Sequence, residues 1–143
     1  MATILVSGGF DPLTTGHIAL IEGAARYGLV LVALNSDEWL VRKKGYRLMP
    51  WADRRAILLA LRNVYFVSAV EDADGTVAEA IRRLRPSFFA NGGDRTAADA
   101  IEHEACAAAG ARELFGVGGG KIASSGALIE AAFEQHKARG KAG

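Results

Sequence analysis

Thr3-Ile4-Leu5-Val6-Ser7-Gly8-Gly9-Phe10-Asp11-Pro12-Leu13-Thr14-Thr15-Gly16-His17-Ile18-Ala19-Leu20-Ile21 is the stretch that decides the fold. A short apolar run is followed by a turn with paired glycines, and then by an apolar-rich segment that opens on Gly16-His17. This order is strand, turn, helix. Glycines let backbone approach a bound group closely, and a helix start offers free N–H groups at a positive dipole end. His17 adds a donor whose charge is expected to change near neutral pH. The combination describes a place for a phosphate.

Working outward, short apolar runs alternate with helical patterns, the signature of a parallel sheet covered on both faces. Strands are expected over 3–7, 29–34, 65–69, 87–91 and 112–117, with helices over 16–27, 51–62, 76–85, 98–109 and 125–139. Val77, Ala80, Ile81 and Leu84 give the clearest helical stripe. A further short helix is expected from Ser36 or Asp37 to Val41, leading into a basic loop at Arg42-Lys43-Lys44-Gly45-Tyr46-Arg47. The prediction is an α/β, Rossmann-like five-stranded parallel sheet with helices on both faces, forming one domain over 1–143.

The bulk properties agree. A chain of 143 residues with 50% hydrophobic and 23% charged residues is suited to one globular core rather than to disorder. With a net charge of +1, a nonspecific nucleic-acid surface is not indicated, and no nucleic-acid partner is expected. No apolar run is long enough for a membrane partner or a signal peptide, so the expected address is cytoplasmic. Cys106 is the only cysteine and reads as a small buried helix residue. No His/Asp/Glu grouping has ligand spacing, so no dedicated metal site is expected, and His103 and His136 read as surface residues.

In parallel sheets, ligands gather outside the carboxyl ends of the strands. Four segments fall there: 8–17, the basic loop, Gly92-Gly93-Asp94-Arg95, and Gly116 to Ser125. Neither familiar glycine motif applies. Gly8-Gly9-Phe10-Asp11-Pro12 lacks the Gly-x-Gly-x-x-Gly dinucleotide fingerprint, and Gly118-Gly119-Gly120-Lys121 lacks both the first glycine and the hydroxyl of a Walker loop.

Gly9-Phe10-Asp11, followed at the proper spacing by Thr14-Thr15-Gly16-His17, resembles the signature of the nucleotidyltransferase superfamily. That superfamily includes glycerol-3-phosphate cytidylyltransferase, phosphopantetheine adenylyltransferase and the adenylyltransferase part of ADP-heptose synthase. The threonine variant stands at Thr14, where other members use a second histidine. The resemblance implies transfer of a nucleoside monophosphate from ATP or CTP to a phosphorylated sugar or polyol, with Mg2+ arriving on the nucleotide. It implies catalytic parts for His17, Thr14 and Lys44. Nucleotide contacts are implied for Gly8, Gly9, Phe10, Gly16 and His17, for Gly92 and Asp94, and for Gly118, Lys121, Ser124 and Ser125.

Acceptor contacts are implied for Asp11, Lys43, Arg47 and Arg54. The family often has an acid two residues before the arginine; Ala52 stands there, leaving Asp53 as a substitute partner. Where heptose-type enzymes carry lysine, this chain has Asn91, and where cytidylyltransferases carry arginine it has Gly118. The second difference, with Gly92-Gly93-Asp94, favours the ATP-using branch. A homodimer is implied as well. A phosphopantetheine-type adenylyltransferase and a non-catalytic nucleotide sensor are the alternatives.

Overall fold

The strand order is β3-β2-β1-β4-β5 in one sheet with every neighbouring pair parallel, in a computed structural model that describes residues 1–92, 99–120 and 124–142. The strands are β1 Thr3–Gly8, β2 Leu29–Leu34, β3 Val64–Ala69, β4 Phe88–Gly92 and β5 Arg112–Val117. The helices are α1 Thr15–Ala25, α2 Asp37–Lys44, α3 Trp51–Leu59, α4 Ala78–Leu84, α5 Ala100–Ala109 and α6 Ser125–Ala142. Strand order reverses between β1 and β4, so their carboxyl ends bound the crevice where such sheets bind ligands.

The central strands β2, β1 and β4 bury both faces, because successive side chains point to opposite sides. Ile4, Val6, Val30, Val32 and Leu34 pack with Ile21 and Ala24 of α1 and Leu58 of α3. The alternate residues Leu5, Leu31, Ala33 and Phe89 pack with Ala78, Ala80 and Ile81 of α4 and with Ala105, Cys106 and Ala109 of α5. Each fully buried Leu, Ile or Phe contributes about 1.5–3 kcal/mol. The chain is a single α/β domain of Rossmann-like form, as its periodicity predicts.

Two boundaries differ informatively. Arg42, Lys43 and Lys44 belong to the last turn of α2 rather than to a loop. Gly45 ends that helix in the left-handed region (φ 85°), and its N–H donates to Val41 O at 2.9 Å. Three cations in a last turn also complement the helix dipole. At α4, the Thr76 N–H and hydroxyl both donate to Asp74 Oδ1 (2.8 and 2.9 Å), and this local turn delays the helix to Ala78. Among the described residues no helix is long and apolar enough to cross a membrane.

Candidate active site

The site grows from the turn after β1. Phe10 adopts left-handed backbone (φ 49°), unfavourable for a residue with a side chain, and buries its ring in the core. There it meets the His17 ring with centroids 4.8 Å apart. Thr14 caps α1: the His17 N–H donates to Thr14 Oγ1 at 3.4 Å, and the Thr14 N–H donates to His17 Nδ1 at 2.9 Å. A backbone N–H only donates, so Nδ1 accepts and the neutral ring carries its proton on Nε2. That tautomer leaves the Nε2–H edge free to meet a ligand.

His17 lines a cavity of about 450 Å³ with Lys44, Tyr46, Ser124, Ser125, Ile129 and Glu130. Lys44 Nζ, at the end of α2, donates to Ser125 Oγ, at the start of α6, at 2.8 Å. Ser124 Oγ accepts from the Ala127 N–H at 3.3 Å and so caps α6. A histidine donor, an ammonium and a helix N-terminus therefore share one concave space, an arrangement suited to anionic oxygens.

The structure corrects one expectation about His17. Burial, and then the positive charge of Lys44, lower its pKa from 6.5 to about 4, so the ring is neutral at pH 7 rather than poised to change charge there. Because the folded pKa lies below the unfolded one, the unfolded chain binds more protons between about pH 6.5 and 4. The contribution of His17 to stability is fully present above pH 6.5 and is lost as pH falls toward 4. Urea unfolding of the wild type at pH 7 and pH 4.5 is expected to show a larger stability loss than His17→Asn shows; equal losses contradict the assignment.

The other cations are distributed differently. Lys43 Nζ sits 4.9 Å from the Trp39 ring centroid, and Arg47 Nη1 donates to Asp37 Oδ2 at 2.9 Å. Arg42 Nη2 donates to Asp72 O at 2.9 Å. Arg54 is not on the helix surface: its side chain is 0% exposed. Its Nε donates to Met49 O (3.0 Å), its Nη1 to Gly9 O and Asn35 O (both 2.9 Å), and its Nη2 to Asp37 Oδ1 (2.6 Å). Asp37, not Asp53, is thus its carboxylate partner. Burial raises the Asp37 pKa, but hydrogen bonds and charge from Arg54 and Arg47 outweigh that and hold it below the usual carboxylate value.

Asp11 is also buried, accepting from Leu48 N (2.7 Å) and Met49 N (3.0 Å). Asp11 and Arg54 together therefore tie the turn after β1 to the segment after α2 that carries Tyr46. Gly118 takes φ 82° where β5 passes α1, and a Cβ there would stand 2.7 Å from both Ala19 O and Leu20 Cα, so only glycine fits. Gly8 ends β1, Gly9 packs under Leu40, Gly16 lies in the first turn of α1, and Gly92 lies against Leu20. Asp94 and Lys121 lie outside the described residues.

Sequence reasoning missed Asp37 as a bridge, and Tyr46 and Glu130 as cavity walls. It also missed Asp72, whose buried carboxylate accepts from Asn35 Nδ2 (3.0 Å), Ser36 N (2.8 Å) and Ser36 Oγ (2.7 Å), fixing the start of α2. Only the adjacency of Ser36-Asp37 to a strand end signalled any of these. Elsewhere, burial pushes the Cys106 thiol up to about 12, an inert setting, and His103 pairs at the surface with Glu113 at 2.6 Å.

Residues 5–117 match the family described as Cytidylyltransferase-like. The Bifunctional protein HldE of Streptomyces coelicolor is 40% identical over 104 residues, 70% of this chain and 22% of that protein. The Bifunctional protein HldE of Pelobacter propionicus is 33% identical over 137 residues, 93% of this chain and 27% of that protein. The chain thus spans about a quarter of the length of these curated relatives. The lipopolysaccharide core biosynthesis protein from Thermoplasma volcanium superposes with a TM-score of 0.69 at 18% identity, covering 82% of this chain and 96% of that one, a likeness of fold.

Proposed function

The chain belongs to the cytidylyltransferase-like family of nucleotidyltransferases, and from that premise we propose that it transfers a nucleoside monophosphate from ATP or CTP to the phosphate of a small sugar or polyol. An acceptor phosphate oxygen attacks the α-phosphorus in line as the bond to the β-phosphate oxygen breaks, releasing pyrophosphate. The acceptor is already an anionic nucleophile at neutral pH, so no general base is needed. The work is positioning and charge stabilisation.

The observation that carries this reading is the convergence of the His17 donor edge, Lys44 and Ser125 on one cavity beyond the carboxyl end of β1. His17 Nε2–H donates to the α-phosphate as charge grows there, and Lys44 with the start of α6 holds the leaving phosphates. Thr14 contributes by fixing the ring that donates. Lys43, in the last turn of α2, and Arg47, in the segment that follows it, are assigned to the acceptor, while Asp11 and Arg54 hold the frame in place. Among the described residues no group of three or more His, Cys, Asp and Glu is placed to hold a metal, and Glu130 is the one carboxylate lining the cavity. With that one lining carboxylate, Mg2+ brought on the nucleotide would be held mainly by nucleotide oxygens, where it would neutralise phosphate charge.

In this reading glycine rather than arginine at position 118, together with Gly92-Gly93-Asp94 in the sequence, favours the heptose-like, ATP-using branch over CTP. The homodimer belongs to the same reading, with Leu128 and Phe133 of α6, 50% and 61% exposed, as apolar surface; sedimentation at the monomer mass alone would remove it. The deciding experiment pairs ATP or CTP with sugar 1-phosphates, glycerol 3-phosphate and phosphopantetheine and measures pyrophosphate. Release with ATP and a sugar 1-phosphate is expected. Release with phosphopantetheine alone selects that alternative, and nucleotide binding without release from any pair selects a sensor.

A further inference from the structure

The end of β4 carries an amide that the chain itself does not satisfy. Asn91 is 3% exposed, and its Nδ2 has no hydrogen-bond partner among the described residues. A buried N–H without an acceptor is costly, whereas an apolar side chain of similar volume is not. Packing alone therefore gives no reason for an amide at this position.

Its place in the sheet does give one. Leu5 of β1 is in register with Phe89 of β4, and Asn91 lies two residues further toward the carboxyl end of β4. Asn91 thus stands at the carboxyl edge of the sheet, beside β1, where strand order reverses and the ligand crevice opens. It is held firmly there. Gly92 is pressed toward α1, where a Cβ would sit 2.8 Å from Leu20 Cδ1, and Asn91 is in register with Phe115 of β5. A rigid, desolvated donor beside a crevice is preorganised for an acceptor atom brought by a ligand.

We propose that Asn91 binds a hydroxyl group of a polyol ligand in the β1–β4 crevice, Nδ2 donating to the hydroxyl oxygen, and this rests on the nucleotidyl transfer proposed above. A neutral amide suits a neutral oxygen, while the charged and helix-terminal groups around Lys44 suit the phosphates. Two sources supply that chemistry: the ribose of the nucleotide and the carbon skeleton of the acceptor.

The test uses Asn91→Leu, with Asn91→Ala as a second variant should the first fail to fold. Calorimetry reads binding of ATP and of its 2′-deoxy and 3′-deoxy forms, and steady-state assays read KM for the phosphorylated acceptor. One arm is expected to weaken by about 10- to 100-fold, with the melting temperature unchanged or raised because an unsatisfied amide is gone. Weakened ATP binding that no longer discriminates against a deoxy form identifies the ribose; a raised acceptor KM with unchanged ATP binding identifies the acceptor. Unchanged values in both arms overturn the proposal while leaving nucleotidyl transfer standing. A wild type that releases no pyrophosphate refutes the transfer reading instead, and the ATP-binding arm still reads Asn91.

Discussion

Replacing His17 with alanine lowers turnover by about 10²–10³-fold, the usual cost of about 3 kcal/mol for removing one donor aimed at developing charge. The ring is neutral at pH 7, with Nδ1 engaged by the Thr14 N–H and its donor edge in the cavity beside Lys44. A neutral donor gains most when the phosphate oxygen it meets becomes more negative, so the loss falls on kcat more than on KM. The fold survives, because the change removes one reciprocal cap bond of α1, worth about 1 kcal/mol, and the ring contact with Phe10, while the sheet core stays intact. Circular dichroism and steady-state kinetics on the same preparation check both halves. A His17→Ala protein within threefold of wild-type kcat would remove His17 from the chemistry.

Arg54→Ala is expected to act on stability instead. Four hydrogen bonds from a fully buried guanidinium hold the carbonyls of Gly9, Asn35 and Met49 and the carboxylate of Asp37. Removing it leaves those acceptors facing one another. Breaking a buried ion pair from one side costs about 3–5 kcal/mol, and the partial exposure of Asp37 (28%) places the expectation at the lower end, about 3 kcal/mol. That corresponds to a fall in Tm on the order of 10 °C for a domain of this size. Lysine does not rescue it, since one ammonium cannot span a fork of four acceptors. Urea unfolding measures the loss, and a change below about 1 kcal/mol would show that the arginine is dispensable to the frame.

The contrast between these two residues shows what was legible in the sequence. His17 sits within ten residues of the strand that positions it, so local spacing carried its place at a helix start. The five strands were legible for a similar reason: runs such as Leu29-Val30-Leu31-Val32-Ala33-Leu34 are apolar on both faces and reveal a doubly covered sheet. Arg54 draws its partners from three separate segments, and no periodicity in one segment reports on the others. Asp72 reaches Asn35 and Ser36 from across the fold in the same way. The end of α2 was obscured by composition, because Arg42-Lys43-Lys44 reads as a solvated run until Gly45 is seen to close a helix over it. The pKa of His17 was hidden too, since it depends on burial and on Lys44 arriving from another helix.

Nucleotidyl transfer as proposed requires cleavage at the α-phosphorus, with the leaving phosphates held by Lys44 and the start of α6. ATP labelled separately at the α and γ phosphates tests this in one measurement, in the presence of a phosphorylated acceptor. The α label is expected in the acceptor product and the γ label in pyrophosphate. A γ label on the acceptor or in free orthophosphate, with the α label retained on ADP, would contradict it.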